Sequence, residues 1–486
     1  MNVNSKTFDL NQILKISNLG ILFLLWYSYN KNGDGLYVNY YTVILGTILS
    51  GQIGVFLFFE RRKRDPFVLL LCLQMTIYFL LRILTLLNYE FSNVFLRFPF
   101  GAADLNYALE FIVVANFVFY FGLTLNGLNV SLIYETLKIK PVQTHYVVAL
   151  IIIGYFFAFY QSIGLGFLEG VMGMVLSLFV NIGTILFMAI VYLILFKNRI
   201  SFKTKIIVFF GILLMILIQT LTGSRSAFLG VINFLIFAFL AINDSLKVEK
   251  KYIVLGSILL PIMILIFAVS TFLRPRLENR EKIGNETIEV LKEFDIKEIV
   301  IEGHNFVLAG VFDRIGFLDF CSETISNSDK YSEIFNPWYY FQSIVDNILT
   351  PGFTVFDKPK VSNATNFIYN QIGKPSLSKV SEAYQSDQFT LYGEFYALFG
   401  QWFSLIPIFF VAYFFKSFYL SIDKNEIFFF FLKRAITLFV YYSTLNSFGL
   451  DWILLDVVGI FFTYKIFKSF FRFEHFSSNE QYVPNI

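Results

Sequence analysis

The sequence predicts an all-α polytopic membrane protein with about twelve transmembrane helices and one large external loop. Of its 486 residues, 56% are hydrophobic and 15% are charged, and the mean hydropathy is +0.64. A soluble domain carries about 25% charged residues, so the composition excludes an ordinary soluble protein. Apolar segments of roughly 18 residues or more recur along the chain, enough to cross a hydrocarbon core about 30 Å thick. One polar interval, residues 274–388, interrupts this pattern.

The apolar segments give the order of the predicted spans. They are 13–30, 38–59, 66–88, 105–127, 144–162, 171–196, 206–222, 226–242, 252–273, 389–415, 427–447 and 451–470. The chain therefore divides into residues 1–273 with nine spans, the large loop 274–388, and residues 389–486 with three spans and a tail. Within the loop, short helices are expected at 286–294 and 304–320, and no removable signal peptide is expected at the N-terminus.

The distribution of Lys and Arg predicts the orientation of the spans. The termini and the loops on one side hold 22 of these residues, whereas the short loops on the other side hold Lys31, Arg97 and Arg225. Positive residues concentrate on the cytoplasmic side of a membrane. Both termini are therefore predicted to be cytoplasmic, the large loop lies outside, and a bacterial inner membrane is the expected location. Topology and anionic lipids account for the cations, so no nucleic-acid partner is expected.

Arginines near the predicted outer edge of the membrane are candidates for binding a substrate phosphate. A guanidinium donates two parallel hydrogen bonds to an oxyanion, which suits it to a diphosphate. Arginines at a span end also anchor helices to headgroups, and Arg314 has an alternative ion-pair partner in Asp313. The candidates are Arg225, in the tight connection 222–226, then Arg274, Arg276 and Arg280 after the ninth span, and Arg314.

The predicted external side also offers groups for proton transfer and for stacking on sugars. His304 is the histidine expected there, and a neutral imidazole accepts a proton near pH 7. Glu394 begins an apolar helix, where a carboxylate must be paired or functional. No metal site or nucleotide fingerprint is recognised. The competing bases are Asp313, Asp319 and Asp387, and the aromatic cluster 338–341, with Trp338 and Tyr339, either stacks on sugars or packs the loop.

Three short motifs resemble those of bacterial O-antigen polymerases of the Wzy type, also called oligosaccharide repeat unit polymerases. They are GEFYALFG at 393–400, TGSRSAF at 222–228 and DRIG at 313–316. The topology, with about twelve spans and a large external loop before the last helices, is similar as well. That family is similar in turn to the C-type membrane glycosyltransferases, which use no nucleotide sugar.

The resemblance implies polymerisation of undecaprenyl-diphosphate-linked oligosaccharides at the outer face of the inner membrane. The product would be a surface polysaccharide such as the O-antigen of lipopolysaccharide, a capsule or an exopolysaccharide. Arg225, Arg274 and Arg314 would neutralise the departing diphosphate, and a carboxylate or His304 would take the acceptor proton. No cofactor or metal is implied, and the expected partners are the flippase and the chain-length regulator of the same pathway.

Two other functions remain open from the sequence. An O-antigen ligase shares the topology and would transfer finished polysaccharide to another acceptor. A transporter or lipid-linked oligosaccharide flippase would show internal repeats, broken spans and charges near the membrane midplane. No repeat is visible, and most charges are expected at the span edges, with Arg82 as the main exception. The expected order is polymerase, ligase, transporter.

Overall fold

The structure of the chain is a computed structural model. The described residues are 7–59, 65–88, 101–125, 148–149, 151–156, 182–195, 200–221, 225–243, 246–250, 316–329, 336–349, 390–422, 427–446 and 457–462, with isolated positions elsewhere, most of them in or next to the loop 274–388. Nearly all of them are helical.

Two strands of three residues each accompany the helices. In chain order the elements are β1 Thr7–Asp9, α1 Leu10–Asn32, α2 Tyr40–Phe59, α3 Pro66–Gln74, a π-helix Met75–Leu80, α4 Leu81–Asn88, α5 Ala102–Leu125, α6 Ile182–Leu195, α7 Phe202–Leu221, α8 Arg225–Ile242, β2 Lys247–Glu249, α9 Phe317–Ser326, α10 Pro337–Leu349, α11 Leu391–Phe399, α12 Leu405–Ser421 and α13 Ile427–Asn446.

Four helices in the described part of the chain are long and apolar enough to cross a membrane: Tyr40–Phe59, Pro66–Asn88, Ala102–Leu125 and Phe428–Asn446. They coincide with the predicted second, third, fourth and eleventh spans, which confirms the prediction of an α-helical membrane protein. Helices α1, α7 and α8 occupy three further predicted spans. The ninth predicted span lies almost wholly outside the described residues, so the total of about twelve spans stays a prediction.

The predicted tenth span, 389–415, is wrong as a single helix. The structure divides it into α11 and α12, which are separated by residues 400–404. Gly400 has a φ of +76°, in the left-handed region that glycine enters without a steric penalty. Its N–H donates to the carbonyl of Tyr396 and closes the end of α11. The last glycine of the GEFYALFG motif is therefore a helix stop.

Helix α11 runs antiparallel to α5 and begins deep in the bundle. Near its end, the Tyr396 and Tyr107 hydroxyls are hydrogen-bonded at 2.7 Å, close to the start of α5. Near its beginning, the Tyr392 hydroxyl donates to Asn116 Oδ1 at 2.7 Å. Residues 107 and 116 are about 13 Å apart along a helix axis. The first turn of α11 therefore lies beside the middle of α5.

Helix α9 also begins deep in the bundle and ends near the start of α5, although it belongs to the predicted external loop. Its first residue, Phe317, packs edge-on against Tyr78 of the π-helix, with ring centroids 4.7 Å apart. Its last residue, Ser326, donates to the Asp104 carbonyl at the start of α5. The intervening Leu318 is fully buried. This part of the loop is thus inserted among the membrane helices. Most of the short helix expected at 304–320 lies outside the described residues.

Contacts at the two ends of the bundle agree with the prediction that successive spans cross the membrane in alternating directions. Strands β1 and β2 pair antiparallel, which joins the segment before α1 to the segment after α8. At the opposite end of α1, Asn32 donates to the Leu87 carbonyl at 2.8 Å, and the Ala102 N–H donates to the Leu36 carbonyl at 3.2 Å. The C-terminal ends of α1 and α4 therefore meet the beginning of α5.

Candidate functional site

An ion pair between the loop and a spanning helix forms the centre of the candidate site. Arg82 Nε donates to Asp319 Oδ1 at 2.9 Å, and Arg82 Nη2 donates to Oδ2 at 2.5 Å. Arg82 is 2% exposed and Asp319 is 0% exposed. A bidentate pair of this kind is the arrangement in which a buried guanidinium and a buried carboxylate compensate each other best. The pair therefore fastens α9 to α4.

Local helix geometry positions both partners. Arg82 follows the π-helix Met75–Leu80 in an otherwise α-helical span, and such single-turn departures are frequent at functional sites. Asp319 lies in the first turn of α9, and Glu323 follows it one turn later on the same face. Ser322 and Thr324 are buried as well. The polar residues of α9 thus lie inside the bundle, where their neighbours are helices rather than water.

The motif helix α11 packs directly against this polar segment. Thr390 caps α11 by accepting a hydrogen bond from the Gly393 N–H at 3.2 Å. A Cβ at Gly393 would lie 3.4 Å from Thr324 Cβ and 3.6 Å from Cys321 Cα. The first glycine of the motif therefore sits at the contact between α9 and α11. The next residue, Glu394, is 0% exposed.

The Cys321 thiol is enclosed at the same junction. Burial raises its pKa to about 12, although hydrogen bonds with Thr390 and the Gly393 backbone lower the pKa. At neutral pH the reactive thiolate is therefore almost absent. The other cysteine of the chain, Cys72, is also buried.

We expect both cysteines of the folded protein to resist a maleimide reagent at pH 7.5, because neither thiol is accessible and that of Cys321 stays protonated. Labelling in mild detergent, counted by intact mass, should add no adduct, whereas labelling in SDS should add two. An Asn88→Cys variant, which places a thiol at an exposed helix end, is the positive control. Rapid native modification of Cys321 would contradict the burial of α9.

The arrangement separates residues that hold the site from residues that could act on a substrate. The Arg82 side chain donates two hydrogen bonds to Asp319, so its charge is already balanced and its role is positional. Glu323 on α9 and Glu394 on α11 supply further buried carboxyl groups. In the part of the chain that the structure describes, no group of three or more His, Cys, Asp and Glu side chains could hold a metal ion.

The structure locates only some of the predicted site residues. Glu394 lies at the junction of α9 and α11, and Arg225 begins α8, though its side chain is outside the described residues. Trp338 on α10 is 66% exposed, whereas Tyr339 is buried. Of these two side chains, only that of Trp338 is accessible to a sugar. The remaining candidates also fall outside the described residues and stay predictions: Arg274, Arg276, Arg280, His304, Asp313, Arg314 and Asp387.

The sequence did not predict that the charged side chains of this region lie together inside the bundle. Arg82, Asp319, Glu323 and Glu394 are all buried within the bundle. The reason is that α9 carries acidic residues of the loop inward, which periodicity and hydropathy do not reveal. The sequence indicates Asp319 only as one of several candidate bases, and nothing in it predicts the pairing of Asp319 with Arg82. The available signal was Arg82 itself, because an arginine in an apolar span requires a partner.

Comparison with known proteins gives no assignment: no protein-family model matches the chain, and no curated protein or solved structure matches it either.

Proposed function

We propose that the protein polymerises oligosaccharide repeat units carried on undecaprenyl diphosphate, at the outer face of a bacterial inner membrane. The observation that carries the proposal is the insertion of α9 against the motif helix α11. It puts Gly393 and Glu394 of the GEFYALFG motif at the contact between the loop and the spanning helices. A lipid-carried sugar needs a site of this kind, because its diphosphate lies at the membrane surface and its sugars extend outward.

The proposed reaction transfers the growing chain from one carrier to the non-reducing end of a new repeat unit on another carrier. The bond between the anomeric carbon and the diphosphate oxygen breaks, and a new glycosidic bond forms to an acceptor hydroxyl. Glu394 accepts the proton of that hydroxyl, and undecaprenyl diphosphate leaves. Arg225, Arg274 and Arg314 balance the charge that develops on the departing diphosphate. No nucleotide sugar and no metal ion take part.

A transporter is the second candidate, and a specific observation favours it. Transporters bind substrates between discontinuous helices whose N-termini lie within the membrane. Helices α9 and α11 both begin beside the middle of other helices, and the predicted tenth span is broken at Gly400. A ligase would use the same bond chemistry on another acceptor. Product analysis distinguishes the three, because only a polymerase lengthens a lipid-linked chain by whole repeats.

The proposal predicts that Glu394→Gln abolishes polymer in a host that depends on this protein, because the amide cannot accept the acceptor proton. Surface polysaccharide separated on a gel should collapse from a ladder to single repeats, while the variant remains in the membrane fraction at the normal level. Glu110→Gln is the matched control, since Glu110 is an exposed carboxyl group on α5. A full-length ladder from the Glu394→Gln variant would refute the assigned base.

A further inference from the structure

Arg434 on α13 is a second buried arginine, remote from the ion pair of Arg82. It is 2% exposed, and its guanidinium lies over the rings of Tyr419 and Phe430, at 4.6 Å and 4.2 Å from their centroids. These two rings cover the guanidinium but accept no hydrogen bond in its plane. Within the described residues, nothing accepts a hydrogen bond from Nε or Nη1. The group thus has buried donors without acceptors.

An acidic residue at the start of α3, Asp65, is already engaged by other groups. Asp65 accepts a hydrogen bond from the Phe67 N–H through Oδ1 at 2.9 Å, and its Oδ2 pairs with Lys416. Lys416 and Asp65 therefore balance each other, and no ion pair among the described residues includes Arg434. A buried charge without compensation is strongly destabilising, so we expect a counter-charge for Arg434 from outside the chain. A ligand for this position must be an anion.

The end of the bundle at which Arg434 lies follows from the direction of α13. Tyr441 donates to the Phe67 carbonyl near the start of α3, and Gln74 farther along α3 donates to the Leu445 carbonyl. Helices α3 and α13 therefore run in the same direction, and Arg434 precedes Tyr441 by about 10 Å along α13. It lies at the end of the bundle where α3 begins.

The end of the bundle where α3 begins is the predicted cytoplasmic side, and the sequence that leads into α3 is basic. Four consecutive basic residues, 61–64, directly precede Asp65 in the chain. The cytoplasmic leaflet is rich in anionic lipids, and basic segments beside membrane helices attract their headgroups. An arginine also suits a phosphate better than a lysine, because its planar fork donates two hydrogen bonds at once.

We propose that Arg434 is the centre of a binding site for a phosphate-bearing anion, the headgroup of an anionic lipid, where α3, α12 and α13 meet. The phosphate lies in the plane of the guanidinium and accepts from Nη2 together with one of the two nitrogens that the protein leaves without acceptors, Nε or Nη1, since each of them shares an edge of the guanidinium with Nη2. Tyr419 and Phe430 hold the guanidinium by cation–π contact, and the acyl chains extend along the apolar surface of α12. The site is independent of the proposed polymerisation, which takes place at the other end of the bundle.

The test is a titration of purified protein in neutral detergent, with the midpoint of thermal unfolding as readout. Phosphatidylglycerol should raise the midpoint of the wild type, whereas phosphatidylcholine at the same concentration should not. Arg434→Gln should require on the order of tenfold more phosphatidylglycerol for the same shift, as expected for a lost hydrogen bond to a charged group. Lys433→Gln removes an adjacent charge of the same sign and should titrate like the wild type.

Three results would overturn the proposal. The first is an Arg434→Gln variant that responds to phosphatidylglycerol as the wild type does. The second is a Lys433→Gln variant that loses the response equally, because that result would mean a general electrostatic effect of positive charge. Inorganic phosphate at the same concentration could reproduce the shift, which would make the anion a soluble one. Should Arg434→Gln fail to fold, Arg434→Lys keeps the charge but loses the fork. Native mass spectrometry should then show fewer retained lipids, and unchanged retention would count against the site.

Discussion

Asp319→Leu is expected to destabilise the protein by about 3–5 kcal/mol, because it leaves the guanidinium of Arg82 buried without its counter-charge. The bidentate pair is enclosed at both ends, so water cannot take the place of the lost carboxylate. Since the pair fastens α9 to α4, the loss should also release α9 from the bundle. The free energy of unfolding, measured by denaturant titration in mixed micelles, gives the size of the effect.

The double variant Arg82→Met with Asp319→Leu is the control for this prediction. Replacing both charges with apolar groups of similar volume removes the desolvation cost together with the attraction, so most of the lost stability should return. Equal destabilisation in the single and the double variant would mean that packing, rather than the ion pair, holds α9. A single variant as stable as the wild type would contradict the buried pair itself.

Gly122→Ala should be the second strongly destabilising change, at about 1–3 kcal/mol, because it overpacks the contact between α5 and α12. A Cβ at this position would lie 2.6 Å from the Phe409 carbonyl oxygen and 3.0 Å from Ala412 Cβ. The carbonyl belongs to a helix backbone and cannot rotate away, so the two helices must separate. Thermal unfolding in detergent measures the change.

Gly54→Ala provides the matched control in α2. A Cβ there meets no atom within 4 Å, so the substitution adds a methyl group to open space. In a helix interior, alanine is better than glycine by roughly 0.5–1 kcal/mol, so this variant should be as stable as the wild type or slightly more stable. Equal losses from Gly54→Ala and Gly122→Ala would show that the close approach of α5 and α12 is not the cause.

Hydropathy alone predicts the class of the protein and the positions of several spans. The bounds of α2, α5 and α13 lie within a few residues of the predicted ones, because an apolar stretch of membrane length has few other structures available to it. The break at Gly400 was missed, since α11 and α12 together have the apolar length of one span. Only the positive φ of that glycine distinguishes a helix stop from a helix interior.

The candidate site was harder to predict, because its residues come from distant parts of the chain. Arg82 and Asp319 are separated by 237 positions, and no local pattern links them. The polar sequence of α9 is typical of a loop, although its acidic side chains are buried among helices. Glu394 was identified because a carboxylate within an apolar motif has to be paired or functional. Arg434 is one of the 22 cations that the distribution of Lys and Arg assigns to the cytoplasmic side, and that distribution does not reveal its burial in the bundle.

The most direct test of the account is an assay with purified protein and an undecaprenyl-diphosphate-linked repeat unit, without nucleotide sugar and with EDTA present. The account predicts a ladder of lipid-linked products spaced by one repeat unit, and no ladder from the Glu394→Gln variant. Unchanged substrate after incubation with intact wild-type protein, across several candidate repeat units, would contradict polymerisation and favour transport or transfer to another acceptor.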